Sequence, residues 1–452
     1  MNRVVQKTYD IVVIGGGPGG IPAAVAAARR GHKVLLVERN SFLGGAATSG
    51  LGILGYLDRQ GKRALGGIAQ ELMDRLEKMH GAMGHFRCPV HNSISPISPE
   101  CFKIVAVEMC REAGAEILFN NELLDVTVDN GKIKTVTVYG KCVSTVLTAK
   151  VFIDATGDGD LAYLAGAPYV SGQDETGIMQ PATLMFTVTN YDLEKLLSYA
   201  EQHPEDFGIK EDYAKGYNPD FFRATPGHCF IGLTEMIRRA KEAGDFDVPR
   251  NQFIYITTPT EGELAINTSR ITNIDASDVY QLSDGLTMGY EQVHELLRFM
   301  NKYIPGFENA QLSMIAPSLG VRETRHFKGC FRLTRDNMYS EEVRQQAVAQ
   351  SAYNIDVHSG VKDHIDLTPV DRPFGIPYGC MVPVQTDGLL LSGRTICLDT
   401  ATYASARVMG PCIAVGEAVG EAAALCIEQQ IEPRAVDLVV LQERLRKNGN
   451  LF

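Results

Sequence analysis

The chain has 452 residues, of which 45% are hydrophobic and 21% are charged, and its formal net charge is -11 at pH 7. This length allows two or three domains, each with its own core, and the composition is that of a globular protein. The acidic balance argues against general binding to nucleic acid, which needs clustered lysine and arginine. With neither a signal-peptide pattern nor an apolar run of about 20 residues, we expect a cytoplasmic protein that does not engage membranes.

The ten cysteines contain no Cys-x-x-Cys pair. That spacing is typical of iron–sulfur clusters, structural zinc sites and dithiol redox pairs, so we predict none of these and no metal site. We interpret the cysteines as free, buried thiols of a reducing compartment.

The first predicted elements form a strand–helix–strand unit. Residues 9–14 are β-branched and apolar, as is typical of a central parallel strand covered on both faces. Residues 21–30 are rich in alanine and predict a helix that ends at Gly31. Residues 33–38 predict a second buried strand, which completes a βαβ unit.

Three glycines and one acid in this unit match a dinucleotide-binding fingerprint. Gly15 permits the tight turn after the strand, and Gly17 lets the backbone approach a pyrophosphate at the helix N-terminus. Gly20 allows the helix to pack closely on the strand. Glu38 ends the second strand, where its carboxylate can accept both hydroxyls of a ribose. These residues alone leave NAD and FAD open as ligands.

A second glycine pair separates the two ligands. Gly44 and Gly45 follow the second strand by six residues, and the stretch resembles the extended dinucleotide motif of glutathione-reductase-like flavoproteins. The resemblance implies FAD rather than NAD, because this glycine pair passes close to FAD in those proteins. It also implies cofactor contacts from Arg39 and Ala46. Residues 40–43 lack the histidine that tethers flavin in fumarate-reductase-like proteins, so we expect non-covalent FAD.

Residues 151–160 resemble the strand and Ala-Thr-Gly motif of the same superfamily, whose backbone closes over the nucleotide. Strands are also expected around residues 123–138, within the first part of the nucleotide domain. The cofactor contacts that we predict from these two segments are Leu123, Ala155, Thr156, Gly157 and Asp158.

Residues 388–395 resemble the late strand of that superfamily and the turn that holds the ribityl chain. The turn usually ends in Gly-Asp, whereas this chain has Gly393-Arg394. The usual carboxylate bond to the ribityl hydroxyls is therefore in question, and Asp399 is a candidate substitute. We still predict that Gly393 and Arg394 contact FAD.

Arg407 and Val408 precede a predicted helix that extends through residue 426, and both are predicted cofactor contacts. In the superfamily this helix directs its N-terminus at the flavin pyrimidine oxygen. The helix dipole there stabilises the negative charge of reduced flavin. The alternative is an ordinary amphipathic helix.

The predicted fold class is α/β, with a Rossmann-like FAD-binding domain that is split in sequence. Residues 1–170 and 375–452 are assigned to this domain, and residues 171–374 to an inserted α+β substrate-binding or cap domain. Residues 126–138 contain Asp-Asn-Gly between alternating runs, which predicts a hairpin in the first part.

The inserted segment carries three predicted elements. Residues 182–189 and 253–258 are predicted to be strands, and residues 283–303 to be a helix. Such an insertion usually caps the flavin ring and supplies the substrate pocket.

A wider resemblance covers nearly the whole chain. Residues 179–186, 320–325, 356–358 and 376–380 look like a bacterial family of FAD-dependent oxidoreductases. The nucleotide domain of that family is similar to the flavin domain of heterodisulfide reductase. The cysteines that bind iron–sulfur clusters in the flavin-binding chain of that enzyme are missing here, so the resemblance implies no iron–sulfur role.

Two histidines are candidate acids or bases for the proton that accompanies hydride transfer. His358 is the first candidate, because it lies in a family-like segment before the return to the FAD domain, and His326 is the second. A structural or surface role is the alternative for each of them.

Arg322 and Arg325 are three residues apart and would share a face if the segment were helical. There they could clamp a carboxylate or a phosphate. The alternative is a salt-bridge network that holds the cap domain. Tyr378 is a further candidate, because it directly precedes the predicted flavin-facing strand.

The sequence thus predicts an FAD-dependent oxidoreductase that transfers hydride between a small polar metabolite and non-covalently bound FAD. Two alternatives stay open: a flavin protein that passes electrons within a larger redox complex, and an FAD-binding protein without redox turnover. The expected partner is a small-molecule substrate, without nucleic acid or membrane, and a homo-oligomer is compatible with the sequence.

Overall fold

The computed structural model describes residues 3–207, 216–360 and 365–452. In these residues the strands are β1 (Arg3–Thr8), β2 (Ile11–Ile14), β3 (Val34–Glu38), β4 (Ile53–Leu54), β5 (Phe86–Cys88), β6 (Asn92–Ser95), β7 (Glu116–Phe119), β8 (Glu122–Asp129), β9 (Lys132–Gly140), β10 (Val143–Thr148), β11 (Val151–Asp154), β12 (Tyr169–Ser171), β13 (Phe186–Thr189), β14 (Cys229–Gly232), β15 (Phe253–Thr257), β16 (Leu264–Ile266), β17 (Gln311–Ile315), β18 (Arg325–Phe327), β19 (Ala347–Ser351), β20 (Ile355–His358), β21 (Ile365–Thr368), β22 (Phe374–Pro377) and β23 (Leu389–Leu391). The α-helices in the same described residues are α1 (Gly20–Arg29), α2 (Gly67–Lys78), α3 (Pro99–Ala113), α4 (Asp160–Leu164), α5 (Leu193–Gln202), α6 (Pro219–Ala224), α7 (Thr234–Glu242), α8 (Val279–Tyr303), α9 (Glu341–Gln346), α10 (Thr400–Ala406), α11 (Met409–Gln429) and α12 (Leu438–Lys447).

Strands from both ends of the chain meet in one parallel sheet with the order β23-β11-β2-β3-β7. The central strands are apolar and fully buried, as is typical of a parallel sheet that is covered on both faces. The predicted βαβ unit is confirmed as β2, α1 and β3, and β23 is the predicted late strand. The split Rossmann-like fold is therefore present.

Helices α1 and α11 cross in close contact beside this sheet. A Cβ atom on Gly416 would lie 2.2 Å from the carbonyl oxygen of Gly19, and one on Gly420 would lie 2.4 Å from that of Ala23. Only glycine leaves room for this approach. The contact fixes the N-termini of both helices on the same side of the sheet.

The predicted hairpin is confirmed as β8 and β9. Asn130 and Gly131 join the strands with φ angles of 49° and 75°, which is the backbone that a two-residue type I′ turn requires. The hairpin belongs to a four-stranded sheet with the order β1-β10-β9-β8.

The inserted segment forms an antiparallel sheet with the order β14-β15-β16-β13-β17. Strands β13 and β15 and helix α8 confirm the three elements predicted there. Residues 182–319 supply most of a second hydrophobic core, whereas Phe327 and most buried apolar residues after it pack in the core of the parallel sheet. The domain limits at residues 170 and 374 stay a prediction.

Helix α11 is the one helix in the described residues that is long and apolar enough to cross a membrane. However, 94% of its most apolar stretch is buried inside the molecule, because the helix packs between α1 and the parallel sheet. It is thus a core helix here, and the cytoplasmic location stays a prediction.

Glu417 brings a carboxyl group into the buried middle of α11. Its Oε2 accepts a hydrogen bond from the backbone N–H of Ile68 at 2.7 Å, and Asn448 donates to Oε1 at 3.3 Å. Burial raises the pKa of Glu417 from 4.5 to about 7, since the charged form is poorly solvated there. Native Glu417 therefore holds a proton that the unfolded chain releases above pH 4.5.

The variant Glu417→Gln is expected to lose this part of the pH dependence of stability. The contribution of Glu417 is fully present below pH 4.5 and is lost as the pH rises to about 7, and the shift corresponds to about 3 kcal/mol. The free energy of unfolding, measured by denaturant titration at pH 4.5 and pH 8, should fall less for the variant than for the wild type. Equal losses in both proteins would contradict the prediction.

Candidate functional site

The carboxyl ends of β2, β3, β11 and β23 open into one cavity of about 1130 Å³. The cavity continues from the parallel sheet to the inserted antiparallel sheet, where Thr183, Met185, Ile254 and Ile256 line it. Ligands of open α/β sheets bind at this edge of the strands. The cavity therefore has a nucleotide-side half and a cap-side half.

The glycine turn after β2 forms one wall. A Cβ on Gly15 would lie 2.3 Å from the carbonyl oxygen of Ala155, and one on Gly20 would lie 1.8 Å from that of Gly15. Packing therefore demands glycine at both positions. Gly17 differs, because among the described residues, apart from its chain neighbours, only the Cα of Gly45 lies within 4 Å of its Cβ position, at 4.0 Å. Gly15 and Gly17 line the cavity, whereas Gly20 lies behind them.

Glu38 ends β3 with its carboxylate at the cavity. Its Oε2 accepts a hydrogen bond from the backbone N–H of Gly16 at 2.7 Å, and its Oε1 accepts from the backbone N–H of Asn40 at 2.8 Å. The acid thus fixes the glycine turn and remains beside the space predicted for the ribose. Arg39 and Leu123 line the same end of the cavity.

The second glycine pair lies directly over the first turn. The backbone N–H of Gly44 donates to the carbonyl oxygen of Gly16 at 2.8 Å, and a Cβ on Gly45 would lie 3.1 Å from the Cα of Gly17. Both glycines have positive φ angles, 128° and 48°. Gly45 and Ala46 line the cavity, and Gly44 supports them from outside it.

The end of β11 brings Ala155, Thr156, Gly157 and Asp158 to the cavity. Asp158 accepts a hydrogen bond from Nη2 of Arg394 at 3.0 Å. The arginine at the unusual Gly393-Arg394 turn is therefore paired with the acid at the end of the neighbouring strand. Both residues of the turn line the cavity.

Asp399 does not take the place of the missing turn carboxylate. It begins α10 and accepts hydrogen bonds from the backbone N–H groups of Thr402 and Arg335, each at 2.8 Å. It does not line the cavity. Asp158 is the acid that meets the Gly393 turn.

Helix α11 begins at the far side of the cavity, where Arg407, Val408 and Met409 line the wall. No side chain caps its N-terminus. The positive end of a 21-residue helix is thus available to a negatively charged group in the cavity.

A buried polar cluster faces the cavity next to this helix end. Strand β20 places Asp356 and His358 on one side, since residues two apart on a strand share a face. His358 Nε2 lies 3.2 Å from Asp356 Oδ2, which also accepts a hydrogen bond from the hydroxyl of Tyr353 at 2.9 Å. Arg407 Nη2 lies 3.6 Å from the same carboxylate oxygen and donates to the Oε1 of Gln180 at 3.3 Å.

The protonation of this cluster follows from burial and from its own charges. Burial, with smaller contributions from the charges of Arg322 and Arg407, lowers the pKa of His358 to about 3 against the opposing effect of Asp356. Burial would raise the pKa of Asp356, but His358 and Arg407 outweigh it and hold the pKa below its usual value. At neutral pH the pair is therefore an imidazole beside a carboxylate.

Arg322 faces the cavity from the loop before β18. Its Nη1 donates to the carbonyl oxygen of Pro181 at 2.6 Å and to the hydroxyl of Thr183 at 2.8 Å. Burial lowers the pKa of Arg322 to about 9, with a further contribution from nearby arginines that include Arg407 and Arg250. The guanidinium remains protonated at neutral pH.

Three of the predicted catalytic residues lie outside this cluster. His326 is buried against Glu323, with Nε2 3.0 Å from Oε1, and Tyr378 donates to the carbonyl oxygen of Pro433 at 2.9 Å. Arg325 pairs with Asp160 at 3.0 Å. None of the three lines the cavity, and their contacts are those of structural side chains.

The condition for a shared helical face of Arg322 and Arg325 is not met. Residues 321–324 are not helical, and Arg325 begins β18. Arg322 therefore faces the cavity while Arg325 packs over the ring of Tyr163, 4.3 Å from its centroid.

Sequence reasoning missed several polar residues that line this half of the cavity. Asp356 could have been found, because it lies two residues before His358 in a predicted family segment. Thr183 likewise lies in a family-like segment, residues 179–186, whereas no local pattern marks Arg250 or Tyr353. Among the described residues, no three His, Cys, Asp or Glu side chains are grouped to hold a metal ion.

The chain matches the family model described as FAD dependent oxidoreductase over residues 10–445. It is 33% identical to thiamine thiazole synthase from Aeropyrum pernix over 159 residues, which cover 33% of this chain and 54% of that protein. It is 26% identical to aklavinone 12-hydroxylase from Streptomyces peucetius subsp. caesius over 290 residues, which cover 53% of this chain and 56% of that protein. The chain thus spans about half the length of these curated relatives.

Solved structures share the fold at low identity. The crystal structure of p-nitrophenol 4-monooxygenase from Pseudomonas putida DLL-E4 aligns with a TM-score of 0.50 and 12% identity, covering 98% of this chain and 84% of that chain. The match supports the fold of the whole chain. The glycine turns, the buried acid Glu38 and the two helix N-termini fit a dinucleotide with a negatively charged diphosphate.

Proposed function

Because this chain belongs to the family of FAD-dependent oxidoreductases, we propose that it transfers hydride between a small polar metabolite and non-covalently bound FAD. FAD is the cofactor that the family and the flavoenzyme relatives indicate. The finer likeness to glutathione reductase and to the flavin domain of heterodisulfide reductase is part of this proposal.

The residues that would hold FAD form the nucleotide-side half of the cavity. The glycine turns around Gly17 and Gly45 would accommodate the diphosphate, and the carboxylate of Glu38, which lines the same cavity, would accept the ribose hydroxyls. The N-terminus of α11, after Arg407 and Val408, favours negative charge on the ring system. Bound FAD would supply the two-electron acceptor for a hydride from a substrate carbon.

The observation that carries the proposal is the pair of His358 and Asp356 at the cap-side half of the same cavity. A neutral imidazole with its Nε2 directed to Asp356 leaves Nδ1 as a proton acceptor, and Nδ1 has no hydrogen bond in the described part of the chain. When a hydroxyl-bearing carbon gives up its hydride, the hydroxyl proton would pass to Nδ1 and a C=O bond would form. Asp356 stabilises the imidazolium that results.

Anaerobic titration of the FAD-bound protein tests the function. A panel of small hydroxylated and carboxylated metabolites, together with NADH and NADPH, is added while the visible absorbance of flavin is followed. We expect at least one compound to bleach the flavin band stoichiometrically. If dithionite alone reduces the flavin, the hydride-transfer proposal is wrong, and the electron-transfer and non-redox alternatives take its place.

A further inference from the structure

Arg322 is a half-buried cation on the cavity wall, and its hydrogen-bond partners among the described residues are both neutral. Nη1 donates hydrogen bonds to the carbonyl oxygen of Pro181 and to the hydroxyl of Thr183. Nε and Nη2 make no hydrogen bond to any residue that the structure describes. No carboxylate of those residues lies within ion-pair distance of this guanidinium. A cation that is partly withdrawn from water and has no carboxylate in direct contact is well placed to bind an anionic ligand.

The neighbouring acids are already engaged. Asp356 is shared by His358, Tyr353 and Arg407. Glu323 follows Arg322 in sequence, but its Oε2 accepts from the backbone N–H of Gln180 and its Oε1 pairs with His326. Neither acid is free to turn to Arg322 without leaving a buried donor unsatisfied.

The free edge of Arg322 has the geometry of an oxyanion receptor. Two parallel N–H groups on a planar guanidinium match the two oxygens of a carboxylate, whereas a lysine would offer a point charge. Thr183 and Pro181 hold the opposite edge through Nη1, which fixes the plane of the group. The receptor is therefore preorganised before any ligand enters.

We propose that the substrate carries a carboxylate that binds Arg322, while the reacting carbon of the substrate faces His358. The substrate class is therefore a small hydroxycarboxylate or the corresponding oxocarboxylate. The assignment deepens the proposed hydride transfer and rests on it for the identity of the reacting carbon. The anion also serves the proton transfer, because its charge favours the imidazolium form of His358. Inorganic phosphate is the other small oxyanion that could occupy the receptor.

A substrate analogue that binds but cannot react tests the carboxylate site independently of the proposed hydride transfer. The carbinol carbon of α-hydroxyisobutyrate has no hydrogen, so the compound can bind but cannot give a hydride. Its affinity for the FAD-bound protein is measured by calorimetry and by perturbation of the flavin spectrum. The affinities of its neutral amide and of inorganic phosphate are measured in the same way for comparison. We expect binding of the carboxylate and at least about tenfold weaker binding of the amide.

Variants then assign the binding to one side chain. Arg322→Met should weaken the binding of α-hydroxyisobutyrate about 10- to 100-fold, and Arg322→Lys should weaken this binding less. Arg372→Met is the matched control, since Arg372 lies over the ring of Tyr339, 4.5 Å from its centroid, and outside the cavity. Absence of binding, equal binding of the amide, preference for phosphate over every carboxylate, or unchanged affinity in Arg322→Met would overturn the inference.

Chemical modification of the wild type keeps the test independent of variant folding. Phenylglyoxal attacks neutral guanidine, and burial lowers the pKa of Arg322 to about 9, which favours its reaction. Peptide mapping should show modification of Arg322 that α-hydroxyisobutyrate suppresses and the amide does not. If α-hydroxyisobutyrate protects Arg322 from phenylglyoxal but no compound reduces the flavin in the anaerobic titration, the carboxylate site is supported and the hydride-transfer function is rejected.

Discussion

Replacement of His358 by asparagine is expected to slow reduction of the bound FAD by substrate about 10²- to 10⁴-fold, which is the usual contribution of a general acid or base. Asparagine keeps a polar side chain at this position but cannot accept the proton, and Asp356 retains Tyr353 and Arg407 as partners. His358 does not contact the glycine turns or Glu38, and FAD content should stay that of the wild type.

Stopped-flow measurement of flavin bleaching under anaerobic conditions gives the rate constant for this step. His326→Asn is the matched control, because His326 is also a buried histidine paired with an acid but lies outside the cavity. That variant should lose thermal stability and keep the rate constant within a few-fold of the wild type. A larger rate loss in His326→Asn than in His358→Asn would show that His326, and not His358, accepts the proton.

The pH profile is a second signature of the same residue. Burial lowers the pKa of His358 to about 3, so the free enzyme already holds the neutral form throughout pH 5 to 8. The value of kcat/KM, which reports ionisations of the free enzyme, should therefore show no acid limb from His358 in this interval. An acid limb near pH 6.5 that disappears in His358→Asn would contradict the assigned protonation.

The nucleotide half of the site was predictable because its determinants are local. A buried strand, a glycine turn and an alanine-rich helix follow one another within about 20 residues. Each glycine of the turn makes a close contact with a residue nearby. Gly20 meets Gly15, and Gly45 meets Gly17. Glu38 closes the next strand at a fixed offset. Spacing in the sequence therefore maps directly onto spacing at the edge of the parallel sheet.

The cap-side half depends on contacts between distant segments. Arg322 meets Thr183 across 139 residues, and Arg407 meets Gln180 across 227 residues. Local spacing suggested a helical face for Arg322 and Arg325, but the chain is entering β18 at that point and the two side chains diverge. By contrast, Asp356 and His358 are two apart on one strand, and strand periodicity is sufficient to group them.

Substitution of Gly17 by valine is expected to remove FAD while leaving the protein folded. In the part of the chain that the structure describes, the Cα of Gly45, at 4.0 Å, is the one atom beyond the chain neighbours within 4 Å of the Cβ position, and the φ angle lies outside the left-handed region. The valine methyl groups would extend into the cavity where the backbone must approach the diphosphate. Overpacking there should weaken FAD binding about 10- to 100-fold.

Gly20→Ala is the matched contrast within the same turn. Its Cβ would lie 1.8 Å from the carbonyl oxygen of Gly15, so the strand-to-helix packing must shift, and the loss should appear as a lower free energy of unfolding of the apoprotein. FAD affinity after reconstitution and thermal unfolding of the apoprotein are measured for both variants. Gly17→Val should change the first quantity and spare the second, because the space that it fills belongs to the cofactor and not to the fold. Wild-type FAD affinity in Gly17→Val would mean that the diphosphate does not pass this turn.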